Sequence, residues 1–158
     1  PYMKRLTYWP QLFLGITFNY GLLLGWISIQ ESLDLTPIIF YIGAIFWTLG
    51  YDTIYGYQDI IDDEIIGVKS TSIKFKENPK KILYSFYLVT FLSLVGLGYL
   101  MKFNYIYFIC LIVPLLHFFV YQLGRLDIKS PSNCLMLFKS NNFLGLIIFL
   151  NLLIGKNF

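Results

Sequence analysis

The stretch PQLFLGITFNYGLLLGWISI, residues 10–29, carries no charged side chain over twenty consecutive positions. A helix needs roughly 20 residues to cross the hydrocarbon core of a bilayer, so this stretch predicts one membrane-spanning helix. Four further apolar segments follow it, at residues 36–51, 82–101, 105–124 and 135–155. None of them shows the alternation of apolar and polar residues that is typical of a membrane β-barrel. We therefore expect an all-α integral membrane helical bundle with about five transmembrane helices.

The composition of the whole chain excludes a soluble domain. Hydrophobic residues make up 57% of the 158 residues and charged residues 13%, and the mean hydropathy is +0.64. Soluble domains average about 25% charged residues. A small soluble domain keeps most of its residues near water and could not hide this much apolar surface. No nucleic-acid-binding pattern is apparent, and the partner that the composition demands is the lipid bilayer.

The distribution of Lys and Arg predicts the orientation in the membrane. Five crossings place the N-terminus, the connection 52–81 and the connection 125–133 on one side. That side carries nine basic residues, namely Lys4, Arg5, Lys69, Lys74, Lys76, Lys80, Lys81, Arg125 and Lys129. The opposite side carries two, Lys102 and Lys156. Because basic loops stay on the cytoplasmic side, we expect the connection 52–81 to face the cytoplasm, or the matrix if the membrane is mitochondrial.

Acidic residues concentrate immediately after the second apolar segment. Five of the nine in the chain are Asp52, Asp59, Asp62, Asp63 and Glu64. If the second helix continues outward, Asp52, Tyr55, Asp59 and Asp63 form one stripe, with Asp62 on its flank. Mg²⁺ binds oxygen ligands of this kind together with phosphates, and Lys69 with Lys74 could hold phosphate oxygens as a point charge. The pattern fits metal-assisted departure of a diphosphate, although carboxylates that merely solvate a helix end stay an open alternative.

Three motifs give the chain a family resemblance. The run YDTIY at residues 51–55, followed by QDIIDD at 58–63 and GVKST at 67–71, resembles the second aspartate-rich motif of the UbiA superfamily. Its residue pattern is most similar to that of the 4-hydroxybenzoate polyprenyltransferases of ubiquinone synthesis. The segment PYMKR at residues 1–5 resembles the family's YxxxK motif, with Lys4 as the lysine. The segments LDI, NCL and FKSN between residues 126 and 141 resemble its C-terminal pattern.

The resemblance implies a fold, a reaction and a set of site residues. The family's fold is a bundle of nine helices, in which two aspartate-rich motifs bind Mg²⁺ and a prenyl diphosphate. Ionisation gives an allylic cation, which a carbon of an aromatic ring attacks. Carried onto this chain, Asp59 and Asp63 form the DxxxD pair and are catalytic together with Lys69, and Asp62 joins the pair as a metal ligand. Substrate-binding roles fall to Lys4, Arg5, Asp52 and Tyr55.

One departure from the family pattern limits the expectation. The first aspartate-rich motif has no match in this sequence, and the chain begins with Pro1 rather than Met. We therefore expect residues 1–158 to be the C-terminal portion of a UbiA-like transmembrane domain, inactive in isolation, whose partner is a missing N-terminal half that carries the first motif. The expected location is the bacterial inner membrane, or the mitochondrial inner membrane in a eukaryote.

The expected function is transfer of a polyprenyl group from polyprenyl diphosphate to 4-hydroxybenzoate in ubiquinone biosynthesis. Several alternatives stay open. The chain could be an inactive membrane remnant, a non-catalytic diphosphate-binding subunit, another UbiA-type prenyltransferase or a cation transporter.

Three polar residues lie inside the apolar segments, and the sequence allows two roles for each. Asn19 should face inward, where it makes a packing hydrogen bond or contacts the aromatic substrate, because exposing it to lipid is costly. Lys139 either extends along its helix toward the interface or reaches the substrate carboxylate or diphosphate. His117 either forms a hydrogen bond across the bundle or accepts a proton.

Overall fold

The computed structural model of the chain describes residues 2–157, which are helical apart from short connections and contain no strand. Four long helices, α2 (Pro10–Gln30), α3 (Leu35–Gly56), α6 (Pro79–Leu100) and α10 (Pro131–Asn157), cross the bundle. A fifth crossing, Tyr105–Arg125, is built from shorter pieces, and all five are long and apolar enough to span a membrane. The predicted all-α membrane bundle is confirmed. The second helix continues past Asp52 to Gly56, so it is longer than its apolar segment.

The long helices begin at residues that suit a helix start. Pro10 and Pro79 each lie in the first turn, where the missing N–H costs nothing. The Asp34 side chain caps α3 by accepting a hydrogen bond of 2.8 Å from the backbone N–H of Thr36. Asn104 caps the fourth crossing in the same way through the N–H of Tyr107. The boundaries of the crossings therefore follow from local sequence.

Helix α3 is the centre of the bundle and packs against α2, α6 and α10. Two of its glycines allow a close approach to α6. A Cβ at Gly43 would collide with the side chain of Ser93, and one at Gly50 would collide with the ring of Tyr87. That ring stacks on Phe118 of the fourth crossing, with 4.7 Å between the ring centroids. The small residues of α3 therefore let the aromatic core pack directly against this helix.

The fourth crossing is interrupted in its middle. It consists of α7 (Tyr105–Cys110), α8 (Ile112–Leu116), a π-helical stretch (His117–Gln122) and α9 (Leu123–Arg125). Pro114 lacks the N–H that would bond to the carbonyl of Cys110, which explains the break between α7 and α8. The π-helical stretch turns the buried Gln122 toward Tyr87 and α10, where its side chain bonds to the Tyr87 hydroxyl, the Leu137 carbonyl and Ser140.

His117 contributes to the same polar cluster. Its Nε2 atom lies 3.0 Å from Gln122 Nε2 and 3.3 Å from Ser140 Oγ of α10. The expected hydrogen bond across the bundle is therefore present.

The connection between α3 and α6 holds two short helices, α4 (Ile60–Ile66) and α5 (Thr71–Lys74), while α1 (Met3–Leu6) precedes α2. The continuous stripe of Asp52, Tyr55, Asp59 and Asp63 does not form, because α3 ends at Gly56 and a turn covers residues 57–59. The turn buries the Tyr57 side chain, which is 1% exposed. The buried ring therefore lies in the turn that separates α3 from α4.

Candidate functional site

The acidic segment lies on α4 and on the turn before it. Asp59 precedes α4 and makes no side-chain cap hydrogen bond, and Asp62 lies in the first turn. Both side chains are exposed, whereas Asp63 is half-buried. Gly67 ends α4 with a left-handed φ of 78° that glycine adopts without strain. The short helix therefore presents two carboxylates to water and turns the third toward the protein.

The inward-facing carboxylate meets a lysine from the N-terminal segment. Lys4 Nζ lies 3.1 Å from Asp63 Oδ2 and 3.4 Å from Asp63 Oδ1. The Asp63 side chain is 13% exposed and that of Lys4 45% exposed. The two residues are 59 positions apart in sequence, so this charge-assisted contact joins the two motifs that the resemblance connects. Pro1, the first residue of the N-terminal motif, lies outside the described residues.

Lys69 also contacts the N-terminal segment that contains Lys4. Its backbone N–H donates to the Lys4 carbonyl over 2.6 Å, and its Nζ atom donates to the Leu6 carbonyl over 3.5 Å. The ammonium also lies 5.6 Å from the centroid of the Tyr8 ring. The Lys69 backbone is therefore bonded to the segment that carries Lys4, while its ammonium group lies beside Leu6 and Tyr8. Arg5 is exposed next to Lys4.

The last turns of α3 place two further predicted residues. Asp52 is half-buried and interacts electrostatically with Lys4. Tyr55 is exposed on its outer side and rests on Phe138 of α10, with 4.7 Å between the ring centroids. Asp52 therefore belongs to the assembly around Lys4, and Tyr55 to the contact between α3 and α10.

A buried hydroxyl network holds the segment that follows α4. Thr53 Oγ1 and Thr71 Oγ1 are 2.6 Å apart, and the Ser72 hydroxyl donates to the Thr53 carbonyl over 2.8 Å. The Thr71 N–H donates to the Gln11 side chain over 3.1 Å. The sequence analysis assigned no role to Gln11 or Thr53. The signal that could have predicted this network is the presence of hydroxyl-bearing residues at both ends of the acidic segment. The network connects α2, α3 and α5 beneath the carboxylates.

Two lysines of the loop are engaged elsewhere. Lys74 Nζ lies 4.7 Å from the centroid of the Trp9 ring, a cation–π contact. Lys76 Nζ lies 2.6 Å from Glu64 Oε1, and this hydrogen bond raises the pKa of Lys76. Burial likewise raises the pKa of Tyr57, which keeps its hydroxyl protonated. The expectation that Lys74 helps Lys69 to hold phosphate stays a prediction.

A cavity of about 380 Å³ opens between α2, α3 and α10. Asn19 lines it, donating hydrogen bonds to the carbonyl of Gly15 over 2.8 Å and to Thr48 Oγ1 over 2.9 Å. The Trp47 ring N–H donates to Asn141 Oδ1 over 2.9 Å on the opposite wall. Asn19 therefore makes the packing hydrogen bonds expected of it and also faces a cavity large enough for part of a substrate.

A separate, smaller apolar cavity of about 190 Å³ shares Asn19 and Trp47 with the first and is also lined by Leu94 and Ile148. Lys139 lines neither cavity. It is exposed on α10, between the cavity-lining residues Phe138 and Asn141.

The carboxylates of the acidic segment are oxygen ligands of the kind that a hard divalent cation binds. Among residues 2–157, no group of three or more His, Cys, Asp or Glu side chains is arranged to hold a metal ion. The only two ion pairs in this part of the chain are Lys4–Asp63 and Lys76–Glu64, which leaves the exposed carboxylates of Asp59 and Asp62 unpaired. Mg²⁺ commonly takes one or two carboxylates and completes its shell with phosphate oxygens and water, so this set fits. The metal role of Asp59, Asp62 and Asp63 stays a prediction.

Comparison with known proteins gives a family and close relatives. The model of the UbiA prenyltransferase family matches residues 1–153. The mitochondrial 4-hydroxybenzoate polyprenyltransferase of Bos taurus is 46% identical over 99% of the chain, and that of Homo sapiens is 44% identical over 99%. The Arabidopsis thaliana protein of the same name is 38% identical over 100%. The chain spans 42%, 42% and 39% of the length of these relatives. No solved structure matches it.

Proposed function

The chain belongs to the UbiA prenyltransferase family, and we propose that it is part of an enzyme that transfers a polyprenyl group to the ring of 4-hydroxybenzoate. The observation that carries the proposal is the ion pair of Lys4 with Asp63, together with the backbone bond of Lys69 to Lys4 and the unpaired carboxylates of Asp59 and Asp62 in the same acidic segment as Asp63. Cations and a metal-binding donor set on one surface are what departure of a diphosphate needs. The relatives named above carry this activity in their names.

In the proposed reaction, the bond between the allylic carbon and the diphosphate oxygen breaks, and its electron pair leaves with the diphosphate. A ring carbon of 4-hydroxybenzoate forms the new carbon–carbon bond and then loses its proton. Lys4 and Lys69 bind the diphosphate oxygens, and Arg5 lies close enough in sequence to add a third cation. Asp63 orients Lys4 through the contact of 3.1 Å.

Asp59 and Asp62 would hold Mg²⁺, together with Asp63 when Lys4 moves toward the diphosphate. The bound ion supplies neutralisation of the charge that develops on the leaving group. The lysines of the chain would position the diphosphate. Asp52, half-buried in the last turns of α3, would add a negative charge near Lys4 without pairing with it directly.

The cavity bordered by Asn19, Tyr51 and Phe138 is the proposed place for the organic part of the substrates. The neighbouring apolar cavity lined by Ile148 suits isoprenoid units, and the amide groups that line the larger cavity suit a polar aromatic acceptor. Tyr55 covers the contact with α10 near the larger cavity. Lys139, exposed one residue beyond Phe138, would reach a carboxylate or phosphate only at the edge of the cavity.

The proposed setting is a mitochondrial inner membrane with the acidic loop toward the matrix, or a bacterial inner membrane. The five crossings make the chain an integral membrane protein. A further polypeptide segment with the family's first aspartate-rich motif would complete the site. On this proposal residues 1–158 are the C-terminal portion of the domain, and turnover requires that segment.

A chimera tests the proposal. The matching stretch of the Bos taurus relative is replaced by residues 1–158, and prenylated 4-hydroxybenzoate is measured in membranes. We expect the chimera to be active and Asp63→Asn to lower product formation on the order of 100-fold. Glu64→Gln is the matched control, because Glu64 is the adjacent carboxylate and pairs only with the exposed Lys76.

Equal activity of Asp63→Asn and Glu64→Gln would contradict the proposal. Binding supplies an independent measurement on the 158-residue chain alone. Retention of pyrophosphate should depend on added Mg²⁺ and should fall when Asp59 and Asp62 are both changed to Asn. Binding that is unaffected by the double change would exclude these carboxylates as the metal ligands.

A further inference from the structure

A second polar cleft lies on the same face of the bundle as the acidic segment, between the start of α6 and the connection that joins α9 to α10. Its volume is about 500 Å³. It shares no lining residue with the cavity between α2, α3 and α10, and none with α4. Whatever it binds is therefore separate from the substrates of the proposed transfer reaction.

Three lysines form the rim of this cleft. Lys80 and Lys81 come from the first turn of α6, and Lys129 comes from the connection on the other side. All three are exposed, and within residues 2–157 none of their ammonium groups has an ion pair. Three unpaired ammonium groups around one concave surface attract an anion more strongly than single lysines on a convex surface do.

Two acidic residues, Glu77 and Asp127, also line the cleft, and within residues 2–157 neither forms an ion pair with its three lysines. The Asp127 carboxylate accepts the backbone N–H of Lys129 over 3.0 Å, which stabilises the turn and fixes the backbone at Lys129. Glu77 interacts electrostatically with Lys76, which lies outside the cleft. The start of α6 adds to the positive potential, because Asn78 makes no side-chain hydrogen bond to its first turn.

The floor of the cleft is apolar, in contrast to its rim. Leu126 is buried, and Pro79 and Ile128 are half-buried, where the loops meet the ends of the membrane-spanning helices. A soluble phosphate compound would meet only the charged rim. A phospholipid matches both parts, because its phosphate can lie on the ammonium groups while its glycerol backbone lies against the apolar floor at the depth of the interface.

We propose that this cleft binds the headgroup of an anionic phospholipid. Lys80, Lys81 and Lys129 contact the phosphate, and the site anchors the start of α6 to the connection between α9 and α10. Basic pockets between transmembrane helices on the cytoplasmic or matrix side are suited to this chemistry.

The test is lipid binding to the purified 158-residue chain in detergent, with phosphatidylglycerol titrated and the bound lipid counted by native mass spectrometry at about 0.15 M salt. Each lysine near an anionic headgroup contributes about fivefold in affinity, so Lys80→Gln with Lys129→Gln should weaken binding roughly 30-fold. Lys80→Arg with Lys129→Arg should keep the affinity within about threefold, because both charges stay. Phosphatidylcholine should bind much more weakly to every variant.

The matched control is Lys74→Gln with Lys76→Gln, which removes the same charge from the same face but outside the cleft. Screening at this salt concentration should limit its effect to about threefold. Equal losses in the two Gln variants would show diffuse attraction and overturn the proposal, and so would unchanged binding in the cleft variant. Displacement of the lipid by equimolar pyrophosphate would assign the cleft to a soluble anion instead. Lys81→Gln alone should lose about fivefold and gives a second measurement with less change to the protein.

Discussion

At the scale of single residues, the contact between Lys4 and Asp63 decides how the acidic segment is used. Lys4 is 45% exposed, so the pair contributes at most about 1 kcal/mol to folding stability. Its larger effect is positional. The contact fixes the ammonium group against the carboxylate side of α4, and the N–H of Lys69 fixes the Lys4 backbone. The same pair therefore matters little for stability and strongly for the geometry of the charges.

Loss of the hydroxyl group should affect the free energy of unfolding differently at two buried tyrosines. The Tyr57 hydroxyl is buried and has no hydrogen-bond partner among residues 2–157. The Tyr107 hydroxyl is buried and donates to the Leu94 carbonyl over 2.8 Å. Tyr57→Phe should leave the free energy of unfolding unchanged or raise it by up to about 1 kcal/mol, whereas Tyr107→Phe should lower it by about 1 kcal/mol. Unfolding in mixed micelles of detergent and SDS measures both.

The Tyr107 variant serves as the control for the Tyr57 variant, because both changes delete one oxygen from a ring that is 1% exposed. A loss of stability in Tyr57→Phe equal to that in Tyr107→Phe would mean that the Tyr57 hydroxyl has a partner outside the described chain.

At the scale of elements, α3 organises the bundle through its small residues. Gly50 faces the ring of Tyr87, and that ring cannot easily move. It is fully buried, it stacks on Phe118, and its hydroxyl donates to Gln122 Oε1 over 3.2 Å. The contact between α3 and α6 at this ring therefore depends on the absence of a Cβ at Gly50, as it does on Gly43 at Ser93.

Gly50→Ala should lower the free energy of unfolding by about 1–3 kcal/mol, because the added methyl group collides with the Tyr87 ring. Gly21→Ala is the matched control. A Cβ at Gly21 in α2 would meet no atom within 4 Å, so that change should be neutral or should stabilise by about 0.5–1 kcal/mol. The same micelle assay compares them, and equal stabilities of the two variants would exclude the close contact.

At the scale of the whole molecule, the chemistry-bearing groups lie on one face. The N-terminal segment, the acidic loop and the connection between α9 and α10 all lie there, as the Lys4–Asp63 contact and the basic cleft show. The basic residues of this face predict its orientation toward the cytoplasm or matrix.

Cysteine labelling tests this orientation. In sealed inner-membrane vesicles of known sidedness, a maleimide that cannot cross the membrane should modify Glu77→Cys from the cytoplasmic or matrix side. Ser32→Cys, in the short connection between α2 and α3, should be modified from the other side only. The parent chain is the control, since Cys134 is buried and Cys110 lies within the fourth crossing. Labelling of both variants from one side would contradict a five-crossing topology.

The number and kind of the membrane helices follow from sequence alone. Hydropathy over about 20 residues is a local property, and the thickness of the bilayer sets the length of an apolar segment that can span it. The segment at residues 10–29 and the four segments after it therefore predicted the positions of the five crossings. The acidic run and the lysines around it were also visible, because a motif is a set of neighbours in the chain.

Only the tertiary structure decided which of these charges meet. The pairing of Lys4 with Asp63 joins residues far apart in sequence and depends on the position of α1 relative to α4. The helix that the stripe of carboxylates assumed ends at Gly56, a turn with the buried Tyr57 follows, and Asp59 and Asp62 are exposed to water. Periodicity cannot foresee such a break, because it describes the spacing of residues along one helix and not how a turn packs against the rest of the chain.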